Sequence, residues 1–275
     1  MSFGERLQAA FESGGHLCVG IDPHSYLLAQ WGLPDHAAGA REFGLRVVEA
    51  TVNRAAIVKP QVAFFERHGS AGFAALERVL HAARDAGLLI IGDAKRGDIG
   101  STFEGYAEAW LTPGSHLEVD ALTVSPYLGV DSIEAPRAIA EAHGKGLFVL
   151  SATSNPEASE LQLGITSSGL TVAASIVERV QQWNRSSAGL GSIGLVFGAT
   201  VDLASYGIER LGNTPVLAPG FGHQGARIAD LRAIYGAAAS HVLVSASRSI
   251  LAAGPKGVAA AIDVQAAEVA EALAI

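Results

Sequence analysis

Cysteine is nearly missing from this chain. Cys18 is the only one in 275 residues, which rules out a disulfide framework and a cysteine-built zinc site. It lies in the apolar run His16 to Ile21 and reads as inert core. Charge is also sparse. Only 17% of residues are charged and the net charge is −8, so the chain lacks the basic excess that non-specific nucleic-acid binding needs. A small anionic ligand stays open, because local lysines and backbone N–H groups decide that. No run approaches the ~20 apolar residues of a membrane span. The first fourteen residues carry Glu5, Arg6 and Glu12 and lack the unbroken apolar core of a signal peptide. A soluble cytoplasmic protein with no membrane partner is expected. The nine histidines form no H-x-x-x-H or H-E-x-x-H pattern, and none is assigned to a metal. There is no G-x-x-x-x-G-K-[ST] phosphate loop. Gly220-x-Gly222-x-x-Gly225 matches a dinucleotide fingerprint only in spacing, since it lies late in the chain.

What is present is apolar and rhythmic. Hydrophobic residues make up 49% of the chain, enough for a sizeable core. Eight short apolar runs recur: His16 to Ile21, Ala55 to Val58, Leu88 to Asp93, Asp120 to Val124, Leu147 to Leu150, Ser192 to Phe197, Pro215 to Ala218 and His241 to Val244. Strands that are continuously apolar are buried on both faces, which means a parallel sheet. Helical spacing separates them, over about Ala37 to Arg54, Ala71 to Ala86, Thr102 to Trp110, Ile133 to His143, Leu170 to Asn184, Asp202 to Leu211 and Ala226 to Tyr235. An Ala-rich helix, Gly257 to Leu273, follows the last strand, and a short amphipathic helix, Met1 to Glu12, precedes the first. Leu161 to Gly169 is left as a loop. Eight strand–helix units without a linker point to α/β architecture: a single (β/α)8 barrel over residues 1–275, with an extra N-terminal helix.

In such a barrel the active site forms at the C-terminal ends of the strands. The polar residues there are Asp22, Lys59, Asp93, Lys95, Ser125, Ser154, the loop Pro219 to Gly225, and Arg248. The stretch Gly92-Asp93-Ala94-Lys95-Arg96-Gly97-Asp98 holds the densest charge. Alternation along a strand puts Asp93 and Lys95 on one side, and Gly97 offers a place for the chain to turn before Asp98. Taken singly, each residue has a plain alternative: a strand-end ion pair for Asp93 and Lys95, a turn for Asp22-Pro23 and Ser154-Asn155-Pro156, a snorkelling lysine for Lys59, a helix cap for Arg248. Together they divide the mouth. A glycine-rich loop after strand seven, with Ser247-Arg248 opening a short helix after strand eight, suits a phosphate. Two lysines and two aspartates face it from strands two and three. The expected ligand is a phosphorylated small molecule.

Asp93-Ala94-Lys95-Arg96-Gly97-Asp98-Ile99-Gly100-Ser101-Thr102 resembles the signature of orotidine 5′-phosphate decarboxylases of the longer bacterial branch. Val19 to Pro23, Val58 to Glu66, Thr153 to Pro156, Ala218 to Gly225 and Ser247-Arg248 extend the likeness along nearly the whole chain. The resemblance implies conversion of orotidine 5′-monophosphate to UMP and CO2 without a cofactor or a metal, the last step of de novo UMP synthesis. It implies that Lys59, Asp93, Lys95 and Asp98 form an alternating charged array with Lys95 as proton donor. It further implies that Asp22 binds ribose, Ser154 the pyrimidine, Gln224 the phosphate and base, and Gly220, Ser247 and Arg248 the phosphate. Asp98 and Thr102 would serve the partner's site in a homodimer. Ser125 departs from the pattern, which has asparagine before the proline. The alternatives are a magnesium-dependent sugar-phosphate decarboxylase or aldolase of the same superfamily, which would need acidic ligands where Lys59 stands, and a non-catalytic barrel binding a phosphoribosyl ligand.

Overall fold

A computed structural model describes residues 1–222 and 225–274. Eight parallel strands close into a barrel in sequence order: β1 Leu17–Ile21, β2 Ile57–Pro60, β3 Leu89–Arg96, β4 Ala121–Val124, β5 Gly146–Ala152, β6 Ile193–Phe197, β7 Val216–Pro219 and β8 Val242–Ala246. The helices are α1 Phe3–Gly14, α2 Ser25–Gln30, α3 Ala37–Thr51, α4 Ala63–Glu66, α5 Gly69–Asp85, α6 Gly100–Leu111, α7 Glu134–Ala142, α8 Ser159–Gln162, α9 Val172–Trp183, α10 Leu231–Tyr235, α11 Arg248–Leu251 and α12 Gly254–Leu273. The (β/α)8 reading with its N-terminal helix therefore holds. No described helix is long and apolar enough to cross a membrane.

The period-two alternation of strand side chains sorts the core into two layers. One side chain of every strand fills the barrel interior: Cys18, Ile57, Ile91, Ala121, Phe148, Val196, Leu217 and Leu243. Their neighbours, such as Val19, Val58, Ile90, Leu122 and Val244, face outward under the helices. The first helix closes the interior from below. Its capping box, with the Ser2 amide donating to Glu5 and the Glu5 amide to Ser2 Oγ, fixes its start. Phe3, Leu7, Ala10 and Phe11 then pack against the interior layer, Phe3 edge-on to Phe148 with ring centroids 6.0 Å apart. Arg6 pins the helix by donating to Asp120 (2.6 Å) and to the Gly144 carbonyl (2.8 Å).

Three expectations change. No helix forms over Asp202 to Leu211; a run of turns takes its place. Asp202 Oδ1 accepts from the Ala204 amide, Ser205 Oγ donates to the Asp202 carbonyl, and Gly207 takes a φ of +73°, so local bonds compete successfully with the helix ladder. Ala226 to Tyr235 splits into a 3-10 turn, Ile228–Asp230, and α10. The loop at Leu161 to Gly169 is partly structured, by the end of α8 and by a bridge between Ile165 and Thr171.

Candidate active site

Moving two residues along a strand returns to the same face, so the interior layer dictates what lies above it. Two beyond Ile57 is Lys59, two beyond Ile91 is Asp93, two beyond Ala121 is Thr123, two beyond Leu217 is Pro219 and two beyond Leu243 is Ser245. These five line a pocket of about 210 Å³ at the C-terminal mouth, together with Asp22, Gln61, Lys95, Gly220, Ser247 and Arg248. Val196 and Leu217 contribute an apolar floor. The polar ring is thus the next layer of the same barrel packing.

Asp93 is its hub. Lys59 donates to Oδ2 at 2.8 Å and Lys95 to Oδ1 at 2.5 Å. Both Lys59 and Asp93 are buried, with 5% and 7% of their surface exposed, whereas the Lys95 side chain is 44% exposed and reaches into the mouth. Burial by itself would raise the Asp93 carboxyl, but the two ammonium groups overcome it and hold the carboxyl far below the usual carboxylate range. Burial would likewise lower Lys59; Asp93 and Asp22 outweigh it and drive the ammonium above the usual lysine range. Both groups are therefore ionised at neutral pH. Asp22 stands beside Lys59 with Oδ1 buried and unpartnered among the described residues, an acceptor open to a ligand hydroxyl. Cys18 lies beneath as expected, its thiol pushed up to about 12 by burial.

The approach to Lys95 is irregular. The β3–β4 register shifts between Gly92 and Arg96, and Lys95 itself adopts φ +48°, a left-handed conformation that costs an L-residue about 1–2 kcal/mol. Gly97 lies in the short link between β3 and α6, but the left-handed residues of this stretch are Lys95 and Gly100. Gly97 is needed for space, because a Cβ there would meet the Ser125 carbonyl at 2.7 Å. Ser125, the departure from the expected asparagine, donates its amide to the Arg96 carbonyl at 2.8 Å.

The pocket gathers Asp22, Lys59, Asp93, Lys95, Gly220, Ser247 and Arg248. It does not gather the rest. Asp98 turns away and accepts from the Ile99 amide at 2.8 Å. Thr102 is exposed in the first turn of α6. Ser154 lies past the end of β5, against Gly198. Gln224 is outside the described residues. Sequence reading missed Thr123, Ser245 and Gln61 as pocket residues. Thr123 and Ser245 each sit in phase with the interior layer, and that phase is the available signal; Gln61 lies within the Val58 to Glu66 likeness, which implies no role for it.

A profile described as the orotidine 5′-phosphate decarboxylase / HUMPS family matches residues 15–262. The chain belongs to this family. Among its relatives, an orotidine 5′-phosphate decarboxylase of Salinispora arenicola is 51% identical over 254 residues, covering 92% of this chain and 91% of the relative. One from Streptomyces coelicolor is 50% identical over 254 residues, with 92% and 91% coverage. The solved structure of a candidate orotidine 5′-phosphate decarboxylase from Streptomyces avermitilis superposes with a TM-score of 0.96 at 48% identity, over 100% of this chain and 96% of the other. The OMP decarboxylase of Leishmania donovani gives 0.80 at 32% identity, over 99% of both chains.

Proposed function

We propose that this family member decarboxylates orotidine 5′-monophosphate to UMP and CO2, with Lys95 as proton donor. The observation that carries the reading is the Lys59–Asp93–Lys95 array at the pocket mouth. Loss of CO2 breaks the bond between the ring and its carboxylate and leaves the electron pair on the ring carbon, where nothing obvious delocalises it. An ammonium held at that carbon stabilises the developing charge and then supplies the proton that replaces CO2. Lys95 is the exposed member of the array, and Lys59, buried behind it, keeps Asp93 ionised and in place. Asp93 lies against the substrate carboxylate and repels it until CO2 departs, a penalty offset by binding energy elsewhere on the substrate.

That binding energy comes from the other wall. Arg248 and the backbone at Gly220 and Ser247 hold the phosphate, Asp22 and Lys59 take the ribose hydroxyls, and Ser154 and Gln224 meet the base as the loop after β7 closes. Asp98 and Thr102 serve a partner subunit in a homodimer; both lie outside the lining of their own pocket, Asp98 half-buried just before α6 and Thr102 exposed in its first turn, which supports this. The enzyme acts in the cytoplasm. The magnesium-dependent alternative fits less well, because both oxygens of Asp93 already accept from ammonium groups and a divalent cation there would face two positive charges.

The test is turnover of orotidine 5′-monophosphate by the purified protein, followed by its ultraviolet absorbance, before and after exhaustive chelation. Equal turnover in both is expected. Absence of turnover sinks the reading, and strong loss on chelation sinks its metal-independence.

A further inference from the structure

We propose that Thr123 on β4 is the positioning residue that holds Lys95 at the reacting carbon. Among the described residues, its hydroxyl is the one group hydrogen-bonded both to the backbone of Lys95 and to the carboxylate with which Lys95 is paired. The Lys95 amide donates to Thr123 Oγ1 at 2.9 Å. The hydroxyl proton then goes to Asp93 Oδ1 at 3.0 Å, the same oxygen that accepts from the Lys95 ammonium; the Gly92 carbonyl, at 3.4 Å, is the poorer acceptor. Thr123 is 1% exposed, so no water replaces a lost bond there cheaply.

The need for such a clamp follows from β3. Lys95 sits at φ +48° just where the β3–β4 register is lost. A lysine does not keep that backbone unless its surroundings over-determine it. The regular strand ladder does not do so across the shift, since the residues paired between β3 and β4 jump from Gly92 to Arg96. The Thr123 hydroxyl stands in for the missing ladder bond and ties it to the charge array. Its effect on the reaction is therefore through Lys95, and substrate binding by the phosphate wall does not pass through it.

This inference rests on the proposed decarboxylation, and its test separates the two. Thr123→Val removes the hydroxyl while keeping the shape; Thr123→Ser keeps the hydroxyl. With orotidine 5′-monophosphate as probe, Thr123→Val should lose on the order of 10- to 100-fold in kcat, the scale of a misplaced catalytic group, with KM within about threefold of the parent. Thr123→Ser should recover to within about threefold, and adding Thr123→Val to Lys95→Ala should cost nothing more, because one residue acts through the other. Should the valine variant not fold, as judged by circular dichroism and UMP binding, Thr123→Ala against Thr123→Ser makes the same comparison. Parent kcat in the hydroxyl-free variant, equal damage in the serine variant, or a full additional loss on the Lys95→Ala background overturns the inference. A parent that does not turn over the substrate overturns both this inference and the reading beneath it.

Discussion

Lys59 and Asp93 form a buried ion pair, and removing one partner at a time should show what burial costs. Asp93→Asn leaves the Lys59 ammonium, 6% exposed at its side chain, facing an amide, which typically costs about 3–5 kcal/mol. The pH dependence has a definite sign. Asp93 folded titrates below its ordinary value of 3.8, so its contribution is complete above that value and is lost as pH falls toward the lower folded value. Lys59 folded titrates above 10.5, so its contribution is complete below that value and is lost as pH rises past it. Urea unfolding of parent and Asp93→Asn should therefore differ by a constant amount from about pH 5 to 9. Below pH 4 the gap should narrow by up to about 1.4 kcal/mol per pH unit; a gap that persists undiminished to pH 3 would contradict the ionised, lysine-held carboxylate. At this scale the sequence was informative about charges and about hydroxyls in the loops, and silent about hydroxyls inside strands. Asp93 and Lys95 announce themselves as charges at a strand end, whereas Thr123 and Ser245 pass for strand-forming residues until the phase of the interior layer is known.

At the scale of elements, α1 acts as the stopper of the barrel. Leu7 is completely buried against the interior layer, at the end of the barrel away from Lys95. Leu7→Ala should lower the unfolding free energy by about 2–5 kcal/mol, the range for emptying a buried leucine site, while kcat stays at the parent value; equal loss of kcat would mean that the bottom of the barrel sets the geometry of its mouth. The strands were legible because burial on both faces writes an unbroken apolar run. Their ends were less so: β3 runs on from Asp93 to Arg96, carrying Lys95 inside a strand whose last pairing is shifted. The segment Asp202 to Leu211 has helical spacing and yet forms turns, since Asp202, Ser205 and Gly207 satisfy the backbone locally. Propensity over ten residues does not report such competition.

At the scale of the whole molecule, one member of the proposed four-residue array, Asp98, stands apart from the other three. Asp98 and Thr102 lie outside the pocket that their own Asp93 and Lys95 build. Close by at the start of α6, Ile99 is 61% exposed, an apolar side chain of the kind a subunit interface covers. If neighbouring subunits share sites, an Asp98→Ala chain and a Lys95→Ala chain, each nearly inactive, should regain activity when combined, because one of the two sites in a mixed dimer receives both native residues. Recovery of up to about one parent site per heterodimer is expected. Verified heterodimers with no recovery would assign Asp98 to its own chain or to no site at all. The sequence carried this division only through the family likeness, since nothing in spacing says which subunit a strand-end aspartate serves.

The proton-donor role of Lys95 is tested most directly by single-turnover decarboxylation of orotidine 5′-monophosphate by Lys95→Ala, in protein shown to be folded and to bind UMP. The expected result is a rate at least about 10²–10⁴-fold below the parent, the contribution of a positioned general acid. A variant that releases CO2 and forms UMP at the parent rate would show that the proton comes from elsewhere.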